Sequence, residues 1–175
     1  TLPGFGSTNV VVRFTPATEG VFTNNVVFDS NDGDVTNTVS GTGAVVPVAS
    51  FGASPTNGLA PLSVTFTDTS TGTITNRFWN FGDGATTNVV STNVVHNYAL
   101  AGTNSVTLIA RGPVGVGTNT QLNFIVVTNK PPQLSASPVS RNFGLVAVGQ
   151  TNTLPFQVAN LGELALIGTA TVDGP

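Results

Sequence analysis

Apolar and polar residues alternate along much of this chain with a period of two. Leu62, Val64 and Phe66 are separated by Ser63 and Thr65, and Trp79 and Phe81 by Asn80. That period marks a strand with one buried face, because successive side chains point to opposite sides of a sheet. In Phe78-Trp79-Asn80-Phe81, Trp79 (the single tryptophan) and Phe81 face one way, and Phe78 and Asn80 the other. Gly82-Asp83-Gly84 then supplies the residues of a tight turn. The pattern resumes at His96-Asn97-Tyr98 and, after Gly102, at Val106-Thr107-Leu108-Ile109. Residues 1–47 read as three strands. Ser7–Thr15 ends at Pro16, Gly20–Phe28 closes on Ser30-Asn31-Asp32-Gly33-Asp34, and Val35–Ser40 closes on Gly41-Thr42-Gly43. Beyond residue 133 the pattern predicts strands at Leu134–Pro138, Phe143–Gly149, Asn152–Asn160 and Leu164–Val172. The predicted fold class is all-β, built as β-sandwiches in tandem.

Composition sharpens this picture. The chain has 175 residues, with five Lys or Arg, eight Asp or Glu and a net charge of −3. Lys130 is the single lysine. Such a surface has no basic patch to hold a phosphate backbone, so a nucleic-acid partner is not expected. Abundant Thr, Asn and Val, with scarce Glu and Lys, favour strands and turns over helices. There is no cysteine, which removes disulfides, thiolate metal sites and thiol nucleophiles. No apolar run reaches the length of a membrane-spanning helix. No signal peptide or initiating Met opens the sequence, so its ends are not read as those of a gene product. Thr-Asn recurs, from Thr8-Asn9 to Thr151-Asn152, beside glycines or at the edges of valine-rich runs. These pairs fit turns and strand ends, with O-linked sugar on threonine as the sharper alternative. No Asn-x-Ser/Thr acceptor occurs, which excludes ordinary N-glycosylation.

The central motifs occur in an order that resembles a PKD domain, an immunoglobulin-like β-sandwich, over residues 48–129. Gly58 to Phe66 is similar to that family's Gly-x-Ala-Pro-Leu-x-Val-x-Phe. Trp79 to Gly84 is similar to Trp-Asp-Phe-Gly-Asp-Gly, His96 to Tyr98 to His-x-Tyr, and Gly102 to Leu108 to Gly-Thr-Tyr-x-Val-x-Leu. Two positions depart: Asn80 stands where the family has Asp, and Asn104 where it has Tyr.

The two ends resemble pieces of another immunoglobulin-like module, the ASH-like domain. Phe14-Thr15-Pro16, Ser30-Asn31-Asp32 and Gly41-Thr42-Gly43 carry a likeness to its C-terminal half, over residues 1–47. Phe143 to Gly149 and Asn160-Leu161-Gly162 carry a likeness to its N-terminal half, over residues 130–175 after the Asn129-Lys130-Pro131-Pro132 linker. The halves stand in inverted order. One period of an alternating tandem array would look like this, as would subunits that complete one another by donating strands. Joining Pro175 directly to Thr1 leaves out a strand or turn of that module.

Candidate chemistry is thin. His96 is the single histidine, so no His cluster can hold a metal, and its place in His-Asn-Tyr points to structure. Asp29, Asp32 and Asp34 alternate around Gly33 as calcium ligands can. The EF-hand spacing and closing Glu are missing, and a solvated hairpin turn is the expected role. Some PKD domains bind calcium, which the resemblance implies for Asp83, but Asn80 takes away the acidic neighbour. The residue-level role of Asp83 is to accept hydrogen bonds from turn amides. Trp79, Tyr98 and the phenylalanines fall on core positions rather than on a sugar-stacking platform. Lys130, alone in a proline linker, is a poor cross-linking residue. No catalytic, cofactor or metal residue is assigned. The expected function is a structural segment of a secreted surface protein or extracellular fibre. Its partners would be copies of itself or adjacent repeats, with surface polysaccharide a second candidate. The alternative is a non-catalytic polysaccharide- or protein-binding accessory module of a secreted hydrolase. That alternative predicts a compact monomer with an exposed aromatic row.

Overall fold

A computed structural model describes residues 2, 4 and 6–172; the outermost positions of both predicted terminal modules (1, 3, 5 and 173–175) lie outside the described residues. The fold is all-β, and its centre is an immunoglobulin-like sandwich. One sheet holds β3 (Phe51–Ser54), β5 (Leu62–Asp68) and β8 (Asn93–Tyr98), in the order β3-β5-β8. The facing sheet holds β4 (Asn57–Leu59), β6 (Asn76–Asn80), β7 (Thr86–Val89), β9 (Gly102–Gly112) and β10 (Gly115–Thr128), in the order β4-β10-β9-β6-β7. All pairings are antiparallel except that of β4 with β10.

The period-two reading places the inward side chains as the structure has them. Val64 and Phe66 of β5, Trp79 of β6, Val106, Leu108 and Ala110 of β9, and Ile125 and Val127 of β10 are buried. Trp79 is fully buried and joins the sheets, its ring 5.1 Å from Phe51 in an edge-to-face contact and 5.6 Å from Phe66. Burying a side chain of this class contributes on the order of 2–3 kcal/mol. In β10 the register slips between Gln121 and Ile125. Asn123 takes a φ of 52° there, and its N–H donates to the Ser105 hydroxyl at 3.0 Å. The bulge aims Phe124 at Phe51, 5.8 Å away.

The segment ahead of β3 is laced to one end of the sandwich. Val48 and Thr71 exchange backbone hydrogen bonds of 2.9 and 3.0 Å, and the Val45 N–H donates to the Thr73 hydroxyl at 2.9 Å. Gly117 gives the room: a Cβ there would lie 2.4 Å from the Pro47 carbonyl oxygen. The Thr73 hydroxyl also donates to Glu19, tying in the first hairpin.

The flanking segments are sparser than the sequence predicts. Residues 1–47 hold one antiparallel hairpin, β1 (Gly20–Phe28) with β2 (Val35–Gly43). Ser7–Thr15 forms no strand. Past the linker, β11 (Leu134–Ser137) pairs with β12 (Gln157–Asn160). Phe143–Gly149 and Leu164–Val172 form none, and the predicted Asn152–Asn160 strand shrinks to β12. The physical reason is common to all four: an extended run becomes a strand only where a neighbour takes its N–H and C=O groups. No strand pairs with Ser7–Thr15, Phe143–Gly149, Leu164–Val172 or residues 152–156 among the described residues. Local order there comes from side chains. Asn160 Oδ1 accepts from the N–H groups of Gln133 and Gly162 at 3.0 Å, and its Nδ2 donates to Leu164 O at 2.7 Å. The Lys130 carbonyl accepts from the amides of Glu163 and Leu164.

The Gly82 and Gly84 positions separate two effects. Both have positive φ, 88° and 94°, but a Cβ on Gly82 would lie 2.4 Å from Ser105 O, while one on Gly84 meets open space. Gly84→Ala should cost about 1 kcal/mol of conformational strain, and Gly82→Ala about 3 kcal/mol or more as backbone must move. Urea unfolding followed by Trp79 fluorescence measures both; equal losses would contradict this packing.

Candidate functional site

The turn after β6 is built by its own side chains. Asn80 Oδ1 accepts from the Gly82 N–H at 3.0 Å and Asp83 Oδ1 from the Ala85 N–H at 3.0 Å. Asn80 thus holds the turn with a neutral oxygen where the PKD pattern has a carboxylate. The second oxygen of Asp83 lies 2.7 Å from His96 Nε2 on β8. The His96 ring stacks flat on Phe81, with centroids 4.1 Å apart and planes 3° apart, and Tyr98 meets it edge-on at 4.6 Å. The buried Tyr98 hydroxyl donates to Phe81 O at 2.9 Å. Asp83, Tyr98, Asn104 and residues 99–102 border a recess of about 260 Å³. Burial pushes the Asp83 carboxyl up, but the hydrogen bonds from His96 and the Ala85 amide outweigh it and hold the group below its usual value. Burial, helped by the Asp83 charge, pushes the Tyr98 phenol well above its ordinary range.

This cluster staples the β6–β7 turn to β8. Among the described residues His96 Nε2 is engaged by Asp83, and no hydroxyl is hydrogen-bonded to the ring. The other candidates stand apart from it. Asp29, Asp32 and Asp34 are exposed around the β1–β2 turn. Ser30 holds that turn, its hydroxyl donating to Gly33 O at 2.6 Å and accepting from the Asp32 N–H at 3.2 Å. No group of three or more His, Cys, Asp or Glu side chains converges among the described residues. Lys130 contributes backbone, its N–H donating to Glu163 Oε2 at 3.1 Å. Trp79, Phe81 and Tyr98 are core, and among the described residues of the sandwich no aromatic side chain is fully exposed.

An ion pair that the motif reading passes over sits inside the sandwich. Asp68 is buried and accepts from Ser70 N–H at 2.8 Å, from the Ser70 hydroxyl and from Arg77 Nε. Arg77 also donates to Val90 O at 2.7 Å. Burial raises the Asp68 carboxyl, but the Ser70 hydrogen bonds and the Arg77 guanidinium outweigh it and hold it below its ordinary value. Parity finds the pair: Asp68 continues the inward series of Val64 and Phe66, and Arg77 that of Trp79 and Phe81. A charge at such a position demands a partner.

Most of the exposed large apolar side chains lie in the flanks, with others scattered over the sandwich, Val90, Leu100 and Leu122 among them. In the β1–β2 register Phe22 opposes Gly41, Asn24 opposes Val39 and Phe28 opposes Val35, which puts Phe22, Val26, Phe28, Val35 and Val39 on one face. The Phe14 ring lies over Gly41, where an added Cβ would sit 2.8 Å away, and is 5.9 Å from Phe22. With Val12 these rings line an open groove of about 700 Å³. On β11–β12, Leu134, Ala136 and Val158 share a face by register, with Phe156 at the same parity. Leu134 and Val158 are each 64% exposed.

Asp68 and Asp83 set the response to acid. Each has a folded-state value below the unfolded one near pH 4. Their stabilisation is therefore present above about pH 4 and is lost as pH falls through the folded-state values. Arg77→Ala, which leaves the buried Asp68 without its cation, should cost about 3 kcal/mol at pH 7 and flatten the loss between pH 5 and 2. Urea midpoints across that range test this; an unchanged slope would mean the pair is not formed.

The family model described as PKD domain matches residues 44–127, starting four residues before the expected boundary and including the laced segment ahead of β3. No curated protein matches the chain. Among solved structures, one described as the structural basis for the promiscuous specificity of the carbohydrate-binding modules from the beta-sandwich super family is 25% identical, with a TM-score of 0.45. The alignment covers 53% of this chain and 44% of that one, so the chain spans less than half of that protein's length. The central segment of this chain is thus a PKD-domain match, and the likeness of its two flanks to ASH-like modules has no counterpart in these comparisons.

Proposed function

We propose that the chain is a structural spacer, one repeat period of a secreted surface protein or extracellular fibre. It has no catalytic role of its own and assembles through contacts between sandwich units. The observation that carries this reading is the contrast in coverage. The sandwich encloses its aromatic core, while both flanks present strand-patterned apolar residues that stay largely exposed, the β1–β2 face being covered only at one end by Phe14 and Pro16. Uncovered apolar faces of this extent mark association surfaces. The flanks would act as ASH-like half modules that successive units complete, whether those units follow in one polypeptide or come from separate subunits. Extracellular placement agrees with a surface of uncharged Thr and Asn and with so few Lys and Arg residues for trypsin-like proteases to cut.

Sedimentation velocity over a concentration series, with electron micrographs of the concentrated protein, tests the reading. Species growing with concentration, and strings of beads in the images, are expected. A monomer at every concentration that binds a surface polysaccharide with sub-millimolar affinity would replace this function with that of an accessory binding module.

A further inference from the structure

The two flanks are open in matching ways. On β1–β2 one face carries Phe22, Val26, Phe28, Val35 and Val39 with Asn24, Asn37 and Gly41, Phe14 lying over Gly41; the other carries Thr23, Asn25, Thr36, Thr38, Ser40 and Thr42, with Val21 and Val27. One face is therefore made to be inside. On β11–β12 the Leu134, Ala136 and Val158 face has the same character. A two-stranded sheet is marginal alone, and two such sheets bury their apolar faces by stacking about 10 Å apart. Resting on the spacer reading above, we propose that the apolar face of β1–β2 is covered by the apolar face of β11–β12 of a second copy of this chain, in a head-to-tail junction.

Two further observations select this occupant. The first is charge. Residues 1–47 carry Arg13 against Glu19, Asp29, Asp32 and Asp34, a net −3, whereas residues 130–175 carry Lys130 and Arg141 against Glu163 and Asp173, a net of zero. Two copies of the first flank would repel; the neutral second flank meets no such repulsion. The second is position. The first flank leaves the sandwich beside Gly112, where Pro47 packs, and the second leaves after Val127, which pairs with Gly102. Gly102 and Gly112 are the two ends of β9, roughly 33 Å apart for a strand of that length. The sandwich therefore stands between the two faces of one chain, and they share no strand pairing. The strand inventory comes close as well, short of the strand or turn that the join of Pro175 to Thr1 leaves out. Four strands are formed in the flanks, and Ser7–Thr15, Phe143–Gly149 and Leu164–Val172 are three patterned runs without partners. Together they are about the seven strands of a constant-type sandwich.

The test uses the full chain, its Phe22→Asp and Val158→Asp variants, and Thr38→Asp on the opposite face of β1–β2 as control, with the sandwich checked by Trp79 fluorescence. Wild type and Thr38→Asp should self-associate alike by sedimentation velocity. Phe22→Asp and Val158→Asp should each associate at least tenfold more weakly. An equimolar mixture of those two should form a dimer and stop there, because one sound face remains on each partner. Association of Phe22→Asp equal to wild type, or a mixture that forms no dimer, overturns this junction while leaving assembly by other contacts standing. A wild type that stays monomeric throughout overturns both the junction and the assembly reading. Within that outcome, an unfolding midpoint lowered by either variant would show the chain closing on its own flank.

Discussion

The contact of Trp79 with Phe51 and Phe66 is the interaction on which the folded part of this chain depends. A β-sheet with one apolar face is stable only when something apolar covers it. Here β3 and β5 supply Phe51 and Phe66 from one sheet, and β6 supplies Trp79 from the other. The indole lies at the centre, fully buried, with its N–H unpartnered among the described residues. The turn beyond β6 follows from the same demand. Phe81 must continue inward past the strand end, and Asn80, Asp83 and the Tyr98 hydroxyl hold the backbone that places it.

The flanks obey the same rule in the opposite sense. β1–β2 has a sorted apolar face and no sheet above it, and the runs that would flank it have no strand to pair with. Their lack of a strand is not a failure of the sequence pattern. Alternation states which side of a strand is to be inside; it does not supply the neighbour. For Ser7–Thr15 and Phe143–Gly149 the pattern is present and the pairing strand is not, so neither forms a ladder.

What could be read in advance divides along that line. The faces of β5, β6 and β9 were legible because large apolar residues recur at every second position, strictly in β5 and with Phe78 and Ile109 on the outer faces of β6 and β9, and their partners lie within 60 residues of chain. Tyr98 and the Gly-Asp-Gly turn were legible from motif spacing. The pairing of His96 with Asp83 was not, because it depends on β8 lying beside the β6–β7 turn, a relation of tertiary structure. Asp68 and Arg77 were half legible: parity put each inside, and no local signal said that the two would meet. The bulge near Asn123 was also hidden, since nothing in Leu122-Asn123-Phe124 departs from a strand-forming composition except Asn itself.

Charge placement joins these points. The sandwich carries Asp68 with Arg77, Asp83 with His96, and Arg111. Four of these five groups are spent on internal pairs that lock strand to strand or turn to strand. The remaining net negative charge belongs to residues 1–47. A unit arranged in this way has a nearly neutral body and one acidic flank. Neutral bodies do not repel along a string, and an acidic flank disfavours its own kind while accepting a neutral one. In the proposed assembly the apolar faces would supply the adhesion, and the charges would supply polarity, so that each junction joins unlike ends. A spacer needs that division of labour, because a string that reversed direction at random would have no defined reach.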